Sequence, residues 1–180
     1  MSAIERILDN YNRLCAYCDH FFSSMHSLYA EDMRCRRGCS ACCKLHSVCA
    51  LEAFVIARNK AAQKSKKPLR KKRELRQKCA MLKNKGCIVY AARPVICRTH
   101  GLAISIDKRK TVRPTCALNF STKRNVRELP KPHVFDSAAI TDNLMRLNLA
   151  FCMAAGHTAL ASKRFTLEQV LSGKLPKSIL

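Results

Sequence analysis

The segment CRRGCSACC, residues 35–43, sets four cysteines in nine positions. Eight more follow or precede it, at Cys15, Cys18, Cys49, Cys79, Cys87, Cys97, Cys116 and Cys152. Thiols at this density are oxidised in pairs, bound to a soft cation, or packed as small apolar groups. Which of the three holds decides how much of the fold loops can build.

The first residues, MSAIERILDN, carry Glu5, Arg6 and Asp9 and no apolar run of the export-signal kind. No segment reaches the roughly 18 apolar residues of a membrane span. The expectation is a cytoplasmic protein in a reducing compartment, where clustered cysteines hold metal more often than they form disulfides.

Spacing sorts the thiols. Gaps of two or three residues let one turn of chain deliver several sulfurs to one centre, and Cys35, Cys39 and Cys42 have such gaps. Cys43 adjoins Cys42, and neighbouring side chains tend to diverge. Cys43 is therefore expected to face a second metal, another atom of a cluster, or the core. Cys79 and Cys87 flank AMLKNKG, which reads as a turn; Cys97 follows ARP and Cys116 follows RPT. The candidate ligands are thus Cys35, Cys39, Cys42, Cys43, Cys79, Cys87, Cys97 and Cys116. They suffice for two four-coordinate sites, or for one site with spare thiols. Thiolates accept zinc and iron–sulfur centres alike. Arg34, Arg36, Arg37 and Lys44 bracket the first group, and Arg93 and Arg98 bracket Cys97; cations so placed are expected to lower thiol pKa. Cys15, Cys18, Cys49 and Cys152 lie on apolar helix faces and read as core. His46 and His100 are near ligand candidates but are expected at the surface or in the core. His20, His26, His133 and His157 read as structural.

Hydrophobic periodicity supplies the scaffold. Ile4, Ile7, Leu8, Tyr11, Leu14, Cys18, Phe21, Met25 and Leu28 recur at helical spacing, with Ser2 and Glu5 as a capping box. SVCALEAFVIARN reads as a second helix. A late helix starts at Asp136, with Ile140, Leu144, Leu147, Phe151 and Ala154 on one face. A short final helix has Thr166 and Gln169 as capping box and Gly173 as its stop. GLAISID and TVRPT flank KRK as a small hairpin. The fold class expected is mainly α: a small helical domain wrapped around cysteine-rich metal-binding loops, with one short β-hairpin. The length of 180 residues suggests one domain over 1–180.

Charge is the other anomaly. Thirty-four Lys and Arg against twelve Asp and Glu give +22, which implies an acidic partner or nucleic acid. Residues 58–78 form a basic insert with eleven cations and one acid, Glu74, divided at Pro68. Lys66, Lys67, Arg70, Lys71, Lys72 and Arg73 are the residues that would neutralise phosphates. Stacking platforms are scarce, with no Trp and no Tyr in the insert. A solvated basic helix pair is the competing reading.

CRRGCSACC, then a helix containing Glu52, then CAML…GCIVYAARPVICR and Cys116 together resemble the bacterial cysteine-cluster family named for its CxxCxxCC motif. The resemblance runs from Cys35 to about Cys116. It is most specific over Gly86, Cys87, Tyr90, Arg93, Pro94, Cys97 and Arg98. The first cysteine gap is one residue longer than in the motif, and Ala80 stands where the family often has proline. The resemblance implies zinc or iron chelation. In the second motif, Pro94 would stiffen the turn that aims Cys97, Arg93 or Arg98 would pair with Glu52, and Tyr90 would pack beneath. Relatives called flagellin lysine N-methylases imply a second reading, an iron–sulfur, S-adenosylmethionine-dependent methylase or an accessory to one. The spacing of Cys35, Cys39 and Cys42 also matches that of radical S-adenosylmethionine clusters. Against it, Ala41 stands where such enzymes carry an aromatic, and five glycines are few for a cofactor loop. No Ser–His–Asp set, phosphate loop or carboxylate pair is legible.

Overall fold

The computed structural model describes residues 1–36, 38–59, 78–106, 111–121 and 126–176. Most of the basic insert, including Lys66, Lys67, Pro68, Arg70, Lys71, Lys72 and Arg73, lies outside the described residues, as do Arg37 and the KRK turn.

The longest element is α1, Ala3–Leu28. Ser2 Oγ accepts from the Glu5 N–H at 3.1 Å, and the Glu5 carboxylate accepts from the Ser2 N–H at 2.6 Å, so the expected capping box forms. Its inner face buries Tyr11, Leu14, Cys15, Cys18 and Met25. The second helix, α2 (Ala50–Ala57), is shorter than its apolar run suggests. Ser47–Val48 is not helical but forms strand β1, paired antiparallel with β7, Phe165–Thr166. Helix α2 buries five apolar side chains and Glu52.

The second cysteine region opens with the hairpin β2 (Leu82–Lys83) and β3 (Gly86–Cys87). Asn84 and Lys85 both take positive φ, 48° and 61°, the handedness a two-residue hairpin turn requires. A short helix, α3 (Val95–Thr99), follows Pro94, which has no N–H to lose at a helix start. Strands β4 (Ala103–Ser105) and β5 (Val112–Pro114) form the expected antiparallel hairpin. An unexpected third strand, β6 (Phe135–Asp136), lies parallel to β4 with Ile104 opposite Phe135. Two-residue strands leave too little alternation to be read from sequence.

Helix α4, Ser137–Ala154, starts at Asp136, whose side chain accepts from the Ala139 N–H at 3.0 Å. Leu144 and Phe151 face inward as expected, but Ala154 is exposed. Asn148 is buried in its stead; its Oδ1 accepts from the Leu51 N–H at 3.0 Å and its Nδ2 donates to the Ala161 carbonyl at 2.9 Å. It thereby satisfies a free amide in the first turn of α2. Helix α5, Leu167–Leu171, has the Thr166–Gln169 capping box and ends at Gly173, φ +67°.

Helix α1 packs on α3 and α4, and α2 on α4 and α5. Phe21 and Phe135 meet edge to face at 5.1 Å, joining α1 to the small sheet. Cys15, Cys18, Cys49 and Cys152 all lie in this core. The architecture is mainly α with short strands. Among the described residues, no helix is long and apolar enough to cross a membrane.

Candidate metal centre

The first cysteine loop leaves α1 through Met33, buried at the helix end. His26 Nε2 donates to the Cys35 carbonyl at 2.9 Å, fixing the loop against the helix it has just left. The far partner is Asn119, three residues after Cys116 and 1% exposed. Its Oδ1 accepts from the Arg34 N–H at 2.8 Å, and its Nδ2 donates to the Gly101 carbonyl at 2.7 Å and to Cys35 Sγ at 3.3 Å. Its own N–H donates to the Cys116 carbonyl at 3.1 Å. One amide thus locks the Cys116 turn to Cys35. Gly101 completes the joint: its φ is +107°, and a Cβ there would stand 2.7 Å from Cys35 Sγ.

The second region is tied on by backbone, the Cys79 N–H donating to the Cys43 carbonyl at 2.8 Å. The Met81 N–H donates to Cys79 Sγ at 3.4 Å. The Val89 backbone does the same for Cys87 and favours its thiolate, though burial still raises that thiol's pKa and Arg93 lowers it only weakly. An amide two residues beyond the cysteine therefore serves the sulfur in both loops.

The thiols act on one another. Burial raises the pKa of Cys35, the Asn119 hydrogen bond opposes it, and charge on Cys116, Cys42 and Cys39 raises it further. Cys97 has exposed surface, but protein crowds its sulfur: burial pushes it up to about 12, with Cys79, Cys87, Glu52 and Cys42 adding to the shift. Cys43 is lowered, first by a hydrogen bond from the Cys42 thiol, against burial and the charge of Cys79, Cys87 and Cys97. Cys42 is raised by giving that bond, by burial and by the Cys43 charge, with Lys78 lowering it slightly. Cys35 thus feels Cys39, Cys42 and Cys116, Cys43 and Cys97 both feel Cys79 and Cys87, and Cys42 acts on either side.

One expectation changes here. The bracketing arginines do not bring the thiols down as a group: burial leads at Cys35, Cys87 and Cys97, and of these only Cys87 has an arginine, Arg93, lowering it.

Among the described residues, no three of His, Cys, Asp and Glu are drawn tightly enough together to form a metal-holding group as they stand. The donor set nonetheless fits a soft cation. It is all sulfur, it comes from loops held by hydrogen bonds outside the sulfurs, and three of its sulfurs receive N–H donors that favour the thiolate.

Residues 34–117 match the CxxCxxCC family model, which is described as a putative zinc- or iron-chelating domain. Neither a curated protein nor a solved structure matches the chain.

All eight candidate thiols but Cys116 fall in the two motifs of the matched segment, and Cys116 sits at its end. The supporting residues differ in part from expectation. Arg93 and Arg98 pair with Asp19 of α1 rather than Glu52: Arg93 Nη2 donates to Asp19 Oδ1 at 2.7 Å, and Arg98 Nη1 to Asp19 Oδ2. Arg98 also donates to the Arg93 carbonyl at 2.9 Å and the Ala91 carbonyl at 2.8 Å, clamping the turn before α3. Glu52 still links α2 to the second motif, by a different bond, its Oε1 accepting from the Val95 N–H at 3.0 Å. Tyr90 does not pack beneath; it is 65% exposed, with the Arg93 guanidinium 4.1 Å above its ring. That position lets a cation cover the ring where no apolar pocket exists. His46 is exposed, and His100 is half-buried with its pKa lowered by burial, partly offset by a hydrogen bond with the Thr115 backbone.

Asn119, Gly101 and Asp19 are the contributors that sequence spacing missed. Asp19 alone carried a signal, a single acid one residue from the buried stripe of α1 in a chain short of acids.

Proposed function

We propose that this protein holds zinc or iron through cysteine thiolates from two chain regions, at two adjoining centres. Cys35, Cys39, Cys42 and Cys116 serve one, and Cys43, Cys79, Cys87 and Cys97 the other. The observation that carries the reading is the tying together of distant cysteine segments: Asn119 bridges Cys35 Sγ and the Cys116 turn, and the Cys79 N–H donates to the Cys43 carbonyl at 2.8 Å. Cys42 and Cys43, adjacent in sequence, would set the two centres side by side.

Binding draws each set of sulfurs inward and releases their protons, so metal affinity rises with pH and the bound ion adds to fold stability, by order of 10 kcal/mol for a structural zinc. The bound cation supplies charge that offsets four thiolates. The chain's part is to carry those thiolates on loops fixed by Asn119, the Cys79–Cys43 backbone bond and the Arg98 clamp.

The test is metal analysis with an absorption spectrum, on protein purified without oxygen. Two metal equivalents per chain are expected, falling by one in Cys116→Ser and by one in Cys97→Ser. Colourless protein with zinc selects zinc; visible charge-transfer bands select iron. A chain with less than one equivalent after reconstitution with either metal overturns the proposal.

A further inference from the structure

A cleft of about 660 Å³ opens beside the first thiol set, lined by Arg34, Arg36, Gly38, Cys39, Lys85 and Leu118. Of these six described residues three are cations and none is an acid. Among the described residues no carboxylate forms an ion pair with Arg34, Arg36 or Lys85. Pairing partners are available elsewhere in the fold, since Arg13, Arg93 and Arg98 each have one. The lining comes from three turns: the loop before Cys39, the tip of the β2–β3 hairpin, and the Cys116 turn. At the hairpin tip, Lys85 has φ +61°, and Gly38, φ +87°, has nothing within 4 Å of where a Cβ would stand. The lining is therefore mostly charged, with exposed Leu118 as its apolar member and open space at Gly38.

Neutralising the thiolates is the simpler use for these cations. Yet among the described residues the hydrogen bonds to cysteine sulfur come from the Met81 amide, the Asn119 side chain and other groups, and none comes from the side chains of Arg34, Arg36 or Lys85. The guanidinium and ammonium groups are left free for a ligand. Arginine offers planar paired donors suited to phosphate and carboxylate, and lysine adds a mobile point charge. The volume lies in the range of small-molecule pockets, roughly 300–1,000 Å³.

We propose that this cleft binds a small multivalent oxyanion of the phosphate or carboxylate class, at the rim of Cys39. The site needs Arg34 and Arg36 from the first cysteine region and Lys85 from the second, so the ligand bridges the two regions. It stands on these cations and not on metal occupancy, and its failure leaves the metal reading untouched.

Calorimetric titration of the protein as purified, with tripolyphosphate and separately with citrate, tests it. Saturable one-to-one binding of at least one probe is expected. Tripolyphosphate alone identifies phosphate, citrate alone carboxylate, and both identify recognition by charge. The Arg34→Gln/Arg36→Gln/Lys85→Gln variant should lose about tenfold or more in affinity. A control that removes equal charge elsewhere, Lys131→Gln/Arg146→Gln/Lys163→Gln, should stay within about twofold. If the triple variant loses helicity, Lys85→Gln alone, at the exposed hairpin tip, is measured and should weaken binding by about threefold. No saturable binding of either probe, or equal weakening by cleft and control variants, overturns the proposal.

Discussion

Asn119 Nδ2 donates to Cys35 Sγ at 3.3 Å, joining the last candidate ligand region to the first. The same side chain holds the Arg34 amide and the Gly101 carbonyl. It has almost no solvent to fall back on, so its three bonds have no substitutes.

Asn119→Ala should therefore cost about 2–3 kcal/mol, because the Arg34 N–H and the Gly101 carbonyl lose their partner in a poorly hydrated place. Metal content should fall by up to one equivalent, since the Cys116 turn loses its lock on Cys35. Denaturant unfolding and metal analysis read the two effects. Full metal content with unchanged stability would show that the joint is not needed.

Gly101→Ala places a methyl 2.7 Å from Cys35 Sγ on a backbone with φ +107°. Strain of about 1–3 kcal/mol is expected from the backbone angle alone. Cys35 must also move, so a zinc titration should show the first centre weakened more than the second. Gly38→Ala, also at positive φ but with open space, should strain the backbone without this selectivity.

Asp19→Asn removes the carboxylate that serves both Arg93 and Arg98. Arg98 is nearly buried while Asp19 is about a third exposed, so water softens the loss. A destabilisation of about 1–3 kcal/mol is expected, below the range for fully buried pairs. Proteolysis or hydrogen exchange around residues 90–98 should accelerate first, because Arg98 clamps that turn.

Serine substitutions separate ligands from core. Cys97→Ser should lower metal content. Cys18→Ser, at a fully buried helix position, should leave metal content whole and cost about 1–3 kcal/mol through an added buried hydroxyl. Metal analysis and thermal unfolding of both variants decide it. Loss of metal in Cys18→Ser with retained helicity would move α1 into the ligand set.

Glu52 gives a pH dependence of definite sign. Burial raises its pKa above the ordinary 4.5, while the Val95 amide and the Cys49 thiol oppose the shift. The folded state thus holds its proton to higher pH than the unfolded state does. Its contribution is fully present below the unfolded value and is lost as pH rises from there through the raised folded value. Glu52→Gln should flatten that part of the stability profile, measured by denaturant unfolding across pH 4 to 8 relative to the parent chain. An unchanged slope would place the ionisation elsewhere.

Helix positions were largely legible because local rules set them. Ser2 with Glu5, Asp136, and Thr166 with Gln169 each cap within one turn, and each forms as read. The core cysteines followed from the same periodicity. Tyr90 and the partner of Arg98 were not legible. Nothing local says whether a tyrosine meets a pocket or a guanidinium, or which of two acids on different helices an arginine will reach. Asn148 shows the same limit within a helix: its position among apolar residues hides a bond to the α2 backbone that only packing creates.

The sequence alone determined that thiols of ligand spacing sit in two loop regions between capped amphipathic helices, since spacing and periodicity are properties of neighbouring residues. Tertiary structure decided that Asn119 bridges Cys35 and the Cys116 turn, that the Cys79 amide meets the Cys43 carbonyl, and that Gly101 and Asp19 hold the loops. Those contacts join residues tens of positions apart, and their energies depend on burial and distance, which exist only once the chain has closed on itself.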